Sequence, residues 1–135
     1  MKKKNINRNL IQKGFEKWSA GTADFFELLS DDVNWTITGN SPISKTYTSK
    51  RQFLEEAIEP LNKRLAKTIK PTVTGLYAEG NMVIALWIGK AMAKDGTPYN
   101  NTYSWYMKIK KSKITEVTAF FDTVSLSLLW ERVRP

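Results

Sequence analysis

Any proton transfer in this chain falls to Asp, Glu, Lys or Tyr, because its 135 residues include no histidine and no cysteine. The same composition excludes thiolate nucleophiles and disulfides and removes the commonest transition-metal ligands. No cofactor and no metal is expected. Within these limits two polar residues stand out. Asp122 closes the apolar stretch Val117 to Phe121. A carboxylate flanked by Phe120 and Phe121 loses hydration, which raises its pKa toward values suited to a general acid or base. The competing reading is a helix cap, since Asp122 precedes Thr123 and Ser125 and aspartate is a favoured N-cap residue. Asn101 is the second. It sits among aromatic residues at an inward strand position, so its amide either bonds to nearby backbone or faces a cavity holding water or ligand.

The strand that carries Asn101 spans residues 98–110. Its odd positions are Tyr99, Asn101, Tyr103, Trp105, Met107 and Ile109, and its even positions are Asn100, Thr102, Ser104, Tyr106, Lys108 and Lys110. Strand side chains alternate between faces, so the large apolar set points inward. Trp35, Trp87 and Trp105 fall on three different predicted strands. Together with Tyr99 and Phe120 they either line an apolar ligand site or form solid core. Tyr47, in a loop, lies at the mouth of such a site or on the surface.

The elements that must position these residues are legible from period and punctuation. Ile6, Leu10, Ile11, Phe15 and Trp18 give residues 6–20 one apolar helical face, and Gly21 suits the left-handed stop. Thr22 caps a second, short helix with Asp24 in its first turn. Val33, Trp35 and Ile37 alternate with Asn34, Thr36 and Thr38, which predicts a strand over 33–38. Gly39 to Thr48 reads as a loop. Ser49 and Gln52 form a capping-box signature, and the helix it opens runs to about Lys67 with a bend at Pro60. Strands follow at 69–78, at 82–93 as a nearly continuous apolar run of the kind covered on both faces, at 98–110 and at 114–122. Lys94-Asp95-Gly96-Thr97 and Lys111-Ser112-Lys113 supply turns. The tail from Val124 to Trp130 predicts a short helix. Helices grouped before an antiparallel meander indicate an α+β layer packing.

Length gives one domain over 1–135, with a basic, flexible start at 1–5. Hydrophobic residues at 41% and charged residues at 25% are ordinary for a soluble globular chain. No signal-peptide core follows the opening lysines and no apolar run approaches membrane-spanning length, so a cytoplasmic location and no membrane are expected. The net charge of +8 raises the question of an anionic partner. Lys108, Lys110, Lys111 and Lys113 concentrate part of it on one hairpin, where lysines commonly keep a sheet edge soluble. With no arginine cluster and no exposed aromatic platform, nucleic acid is disfavoured.

The stretch Phe25-Phe26-Glu27-Leu28-Leu29-Ser30-Asp31-Asp32-Val33-Asn34-Trp35-Thr36 resembles the start of SnoaL-like domains. The loop Gly39 to Thr48 followed by a capped helix, the hairpin Lys94 to Tyr103 and the last strand Ile114 to Thr123 resemble the corresponding parts. The resemblance covers roughly residues 6–130. It implies the NTF2-like superfamily of steroid isomerase-related and polyketide cyclase-like proteins: an α+β cone in which a curved mixed sheet wraps a pocket and N-terminal helices pack on its concave face. It also implies a homodimer through the outer sheet face. By the same resemblance Asp122 matches the acid/base Asp of the polyketide cyclases, and Asn101 and Tyr103 match pocket-lining positions. The steroid isomerases carry their base near the first strand, where this chain reads Thr36-Ile37-Thr38-Gly39, with no carboxylate.

Two functions follow. One is an isomerase, cyclase or hydrolase acting on a small, largely apolar molecule, with Asp122 moving the proton and Asn101, Tyr99 or Tyr103 holding an oxyanion. The other is a non-catalytic protein binding the same class of ligand in the same pocket.

Overall fold

The computed structural model describes residues 3–135, with side chains from Asn5 onward. Helix α1 spans Lys3–Ala20, so three of the five residues expected to form a flexible start belong to the helix; Met1 and Lys2 lie outside the described residues. The apolar face of α1 buries Ile11 and Phe15 against two strands of the sheet. Gly21 ends it at φ +74°. The Gly21 N–H donates to Trp18 O and the Thr22 N–H to Lys17 O, a Schellman closure that turns the chain back toward the sheet. The next cap is not Thr22. Asp24 accepts from the Phe26 N–H at 2.9 Å and opens a single 3-10 turn, Phe25–Leu28.

Six strands follow: β1 Leu29–Ile37, β2 Thr46–Tyr47, β3 Leu65–Glu79, β4 Met82–Ala93, β5 Pro98–Lys110 and β6 Lys113–Phe121. They form one mixed sheet in the order β2-β1-β6-β5-β4-β3. Only β1 and β6 run parallel. The sheet is curved, and its inner face holds the core together with α1 and the other helices, the cone architecture expected from the sequence. The β5–β6 turn places Lys111 and Ser112 at φ +51° and +64°, the two positive angles a two-residue hairpin turn requires.

The segment after β2 is helical from Lys50 to Asn62 in three registers: α2 Lys50–Phe53, a π turn Leu54–Ile58 and α3 Glu59–Asn62. Ser49 Oγ accepts from the Gln52 N–H, and Gln52 Oε1 accepts from the Thr48 N–H, one residue earlier than a standard box would give. Pro60 has no N–H to give the preceding turn. The π turn just before it sends the Glu59 N–H to Leu54 O, so the expected bend appears as a change of register. The helix also ends earlier than Lys67, because Leu65 already pairs with Ala93 in the sheet.

Strand β4 departs from expectation. Val83, Ala85, Trp87 and Gly89 are buried, but Leu86 between them is exposed. Its outer face is therefore uncovered in the monomer. The final helix, α4, spans Thr123–Arg132. Among the described residues no helix is long and apolar enough to cross a membrane.

Candidate functional site

Strand register creates the centre of the site. Trp87 on β4 lies directly opposite Tyr103 on β5. Their rings stack at 3.9 Å between centroids and 9° between planes. Trp105, two residues on, lies opposite Ala85 on one side and Ala119 on the other. The two methyl side chains leave room for the indole to spread along the inner face. Trp35 and Trp87 both stand edge-on to it, at 5.0 and 4.7 Å, the arrangement that aromatic quadrupoles favour. Neither Trp35 Nε1 nor Trp87 Nε1 meets a hydrogen-bond acceptor. Edge-on packing against a neighbouring ring offers such a donor at most a weak π acceptor.

These rings do not fill the cone. A cavity of about 270 Å³ remains between the sheet and the helices. Trp35 and Ile37 of β1, Ile69 of β3, Trp87, Tyr99, Tyr103 and Trp105 form its sheet side; Phe53, Ala57, Ile58 and Leu61 form its helical side. Ala119, Phe121 and Leu126 close it near the start of α4, while Trp18, Asp24, Phe26, Asn62 and Thr68 lie toward its other rim. Among the described residues no lysine or arginine lines it, and Asp24 is the one carboxylate that does. Gly89 lets three of the wall side chains close in behind the cavity. A Cβ there would lie 2.8 Å from Ile69 Cγ2, 2.9 Å from Tyr103 Cε1 and 3.0 Å from Trp87 Cζ3.

The phenols of Tyr99 and Tyr103 bring hydroxyl groups to the cavity. Burial pushes the Tyr99 hydroxyl up and the Tyr103 hydroxyl well up from the ordinary phenol value. Asn101 Nδ2 donates to Tyr99 Oη at 3.1 Å. Both phenols therefore stay neutral and can serve as hydrogen-bond donors at physiological pH.

Of the residues singled out in the sequence, Trp35, Trp87, Tyr99, Tyr103 and Trp105 come together on the cavity. The others do not. Asn101 is 5% exposed and fully engaged. Its Nδ2 also donates to Asp122 O, and its Oδ1 accepts from the Thr102 and Asp122 N–H groups. It clamps β5 to the end of β6 and has no capacity left for a ligand. Tyr47 is neither mouth nor surface. It is buried behind Phe53, donates to Ile43 O at 2.6 Å, and its hydroxyl is pushed up to about 12 by burial and by Glu56.

Asp122 and Phe120 are corrected together, by one physical reason. Tyr103 pairs with Phe121 and Trp105 with Ala119. Directly opposed residues share a face, so Ala119 and Phe121 point inward while Phe120 and Asp122 point out. Phe120 is 45% exposed and packs beside Tyr106 on the outer face. Asp122 is exposed and caps α4: Oδ1 accepts from the Val124 and Ser125 N–H groups and Oδ2 from the Ser125 hydroxyl. The Ser125 hydroxyl and N–H bonds to its charged form lower its pKa, the reverse of the rise its aromatic neighbours suggest.

The sequence reading missed Trp18, Asp24, Phe26, Phe53 and Ile69 as cavity residues. Pairing the predicted strands would have found Phe121. Nothing local marks Asp24, because its place depends on how the corner after α1 meets the end of α3. Among the described residues no group of three or more Asp or Glu is arranged to hold a metal. The lysine-rich hairpin is partly engaged, with Lys108 paired to Glu116 at 3.2 Å and Lys113 Nζ donating to Glu27 O.

No protein-family model matches this chain, and no curated protein matches it. Solved structures do. Bal32a, from a soil-derived mobile gene cassette, is 15% identical with a TM-score of 0.78, covering 96% of this chain and 99% of its own. An NTF2-like protein from Burkholderia thailandensis E264 is 15% identical with a TM-score of 0.74, covering 96% and 98%. TerC, co-crystallized with polyporic acid, is 17% identical with a TM-score of 0.74, covering 93% and 98%. The chain therefore has the NTF2-like fold that its SnoaL-like resemblance implies. At such identities the likeness extends to the fold and no further.

Proposed function

We propose that this protein binds a small, largely apolar, ring-bearing molecule inside the cone, without catalysing its conversion. One observation carries the reading: a cavity of about 270 Å³ walled by aromatic and aliphatic side chains, with one carboxylate, Asp24, at the rim among the described residues. Sites for small organic ligands are concave, mostly apolar and furnished with a few polar groups. Here those groups are the neutral phenols of Tyr99 and Tyr103, which suit a carbonyl, ether or hydroxyl oxygen. The volume corresponds to about nine waters at roughly 30 Å³ each, which suits a one- or two-ring compound. The TerC complex with polyporic acid gives this reading a precedent in the same fold.

Isomerase, cyclase or hydrolase chemistry through Asp122 is not part of the reading. That carboxylate is exposed, outward-facing and occupied as a cap. Binding also fits a homodimer through the outer sheet face, where Leu86, Tyr106 and Phe120 are exposed. A cytoplasmic location fits as well.

The test uses naphthol as a neutral two-ring probe, followed by tryptophan fluorescence, since Trp18, Trp35, Trp87 and Trp105 line the cavity. Saturable quenching is expected, and Ala57→Phe, which fills the hollow from the helical side, removes it. Quenching that never saturates, or that survives Ala57→Phe in a protein with native circular dichroism, overturns the proposal.

A further inference from the structure

Asp24 is exposed, and it stands at the corner between α1 and β1 with Trp18 and Phe26 on either side in sequence. All three line the cavity, and Asn62 and Thr68, also exposed, complete that rim. One oxygen of Asp24 caps the 3-10 turn. Among the described residues the carboxylate makes no ion pair, although the chain carries 21 basic residues. Among the described residues the remaining walls are uncharged. A buried charge without a charged partner is costly, and among the described residues an anionic ligand group meets no cation, only the neutral donors of Tyr99, Tyr103, Trp35 and Trp87.

We propose that Asp24 selects the charge of the ligand: the cavity takes an apolar ring body bearing a protonated amine, whose cationic head stays at the rim beside the Asp24 carboxylate and the rings of Trp18 and Phe26. This rests on the binding function proposed above. A carboxylate that shares a cavity lining with two aromatic residues suits an ammonium group, by charge attraction and by the ring quadrupole. The overall charge of +8 opposes a cation at long range, but screening beyond about 8 Å leaves the nearest carboxylate to decide.

Three isosteric probes test it: naphthylmethylamine as its ammonium ion, naphthylmethanol and naphthoate. Each is titrated into the wild-type protein and into Asp24→Asn, with tryptophan fluorescence as the readout. Asparagine caps a helical turn as well as aspartate does, so the variant keeps the corner. The ammonium probe is expected to bind about three- to tenfold more tightly than the alcohol, an effect in the range of an exposed ion pair with a cation–π contact. Naphthoate is expected to bind weakest. In Asp24→Asn the ratio of ammonium to alcohol affinity is expected to fall to about one. An ammonium probe that binds no better than the alcohol, or a variant that weakens both equally, overturns the charge selection and leaves the cavity function standing. Failure of all three probes to bind saturably overturns the cavity function and this inference with it.

Discussion

Gly89→Ala tests how tightly the cavity wall is built. Gly89 lies buried on the inner face of β4, opposite Asn101, and its φ is not positive. Alanine can therefore take its backbone angles, and by restricting the unfolded chain it contributes about 0.4–1 kcal/mol of stability. Against this stands the space. The new methyl would sit 2.8–3.0 Å from Ile69 Cγ2, Tyr103 Cε1 and Trp87 Cζ3, where ordinary contact needs more. Two of the three atoms belong to rings already stacked at 3.9 Å, which cannot yield by a rotamer change. Overpacking of this kind costs about 1–3 kcal/mol. The net expectation is a loss of about 1–2 kcal/mol. With an unfolding entropy near 2.1 cal/mol/K per residue, this corresponds to a Tm lower by about 3–8 °C. Thermal denaturation followed by far-UV circular dichroism reads the loss. Near-UV circular dichroism reads the displacement of the Trp87–Tyr103 pair, and weaker naphthol binding reads the reduced cavity. A variant with unchanged or raised Tm and an unchanged near-UV spectrum would mean that the wall yields freely, and the packing account would be wrong.

Two further outcomes follow from titration. Asp122 has its pKa lowered by its bonds to Ser125 and Val124, so its contribution to stability is present above the unfolded carboxyl value, near pH 4, and is lost as pH falls through the folded one. Asp122→Ala should therefore lower the Tm at neutral pH, Asp122→Asn should largely preserve the cap, and the Asn variant should lose less on acidification; equal acid sensitivity in wild type and Asn variant would refute the assignment. Tyr47, Tyr99 and Tyr103 all have raised hydroxyl pKa values, with burial the leading cause. Their contribution is present below the unfolded phenol value, near pH 10, and is lost as pH rises through the folded values. An alkaline titration of tyrosinate absorbance should show these three ionising late, Tyr47 at about 12 and Tyr103 only with unfolding. A single transition near pH 10 accounting for all five tyrosines would contradict the buried phenols.

What the sequence determined by itself was set by local period and local chain chemistry. The inward set of β5 from Tyr99 to Ile109 came from alternation. The ends of α1 and of the hairpins came from residues able to turn there, above all Gly21 and the pair Lys111-Ser112, which adopt positive φ. Three of the four cavity tryptophans, Trp35, Trp87 and Trp105, came from their places on separate strands. What the tertiary structure decided was every question of what lies opposite what. Asp122 met both local conditions, a cap position and an aromatic flank, and the sequence leaned toward the cap. The pairing of Tyr103 with Phe121 turned it outward and made it a cap. Asn101 was legible as buried but not as satisfied, because its partners on Asp122 come from another strand. Asp24 read only as the acid of a helical turn. It acquired a place at the cavity because Asn62 and Thr68, far along the chain, line the same hollow. Backbone conformation depends on neighbours in sequence and leaves its mark there. A hollow is bounded by side chains from distant segments, and their juxtaposition exists only once strands have chosen partners and register.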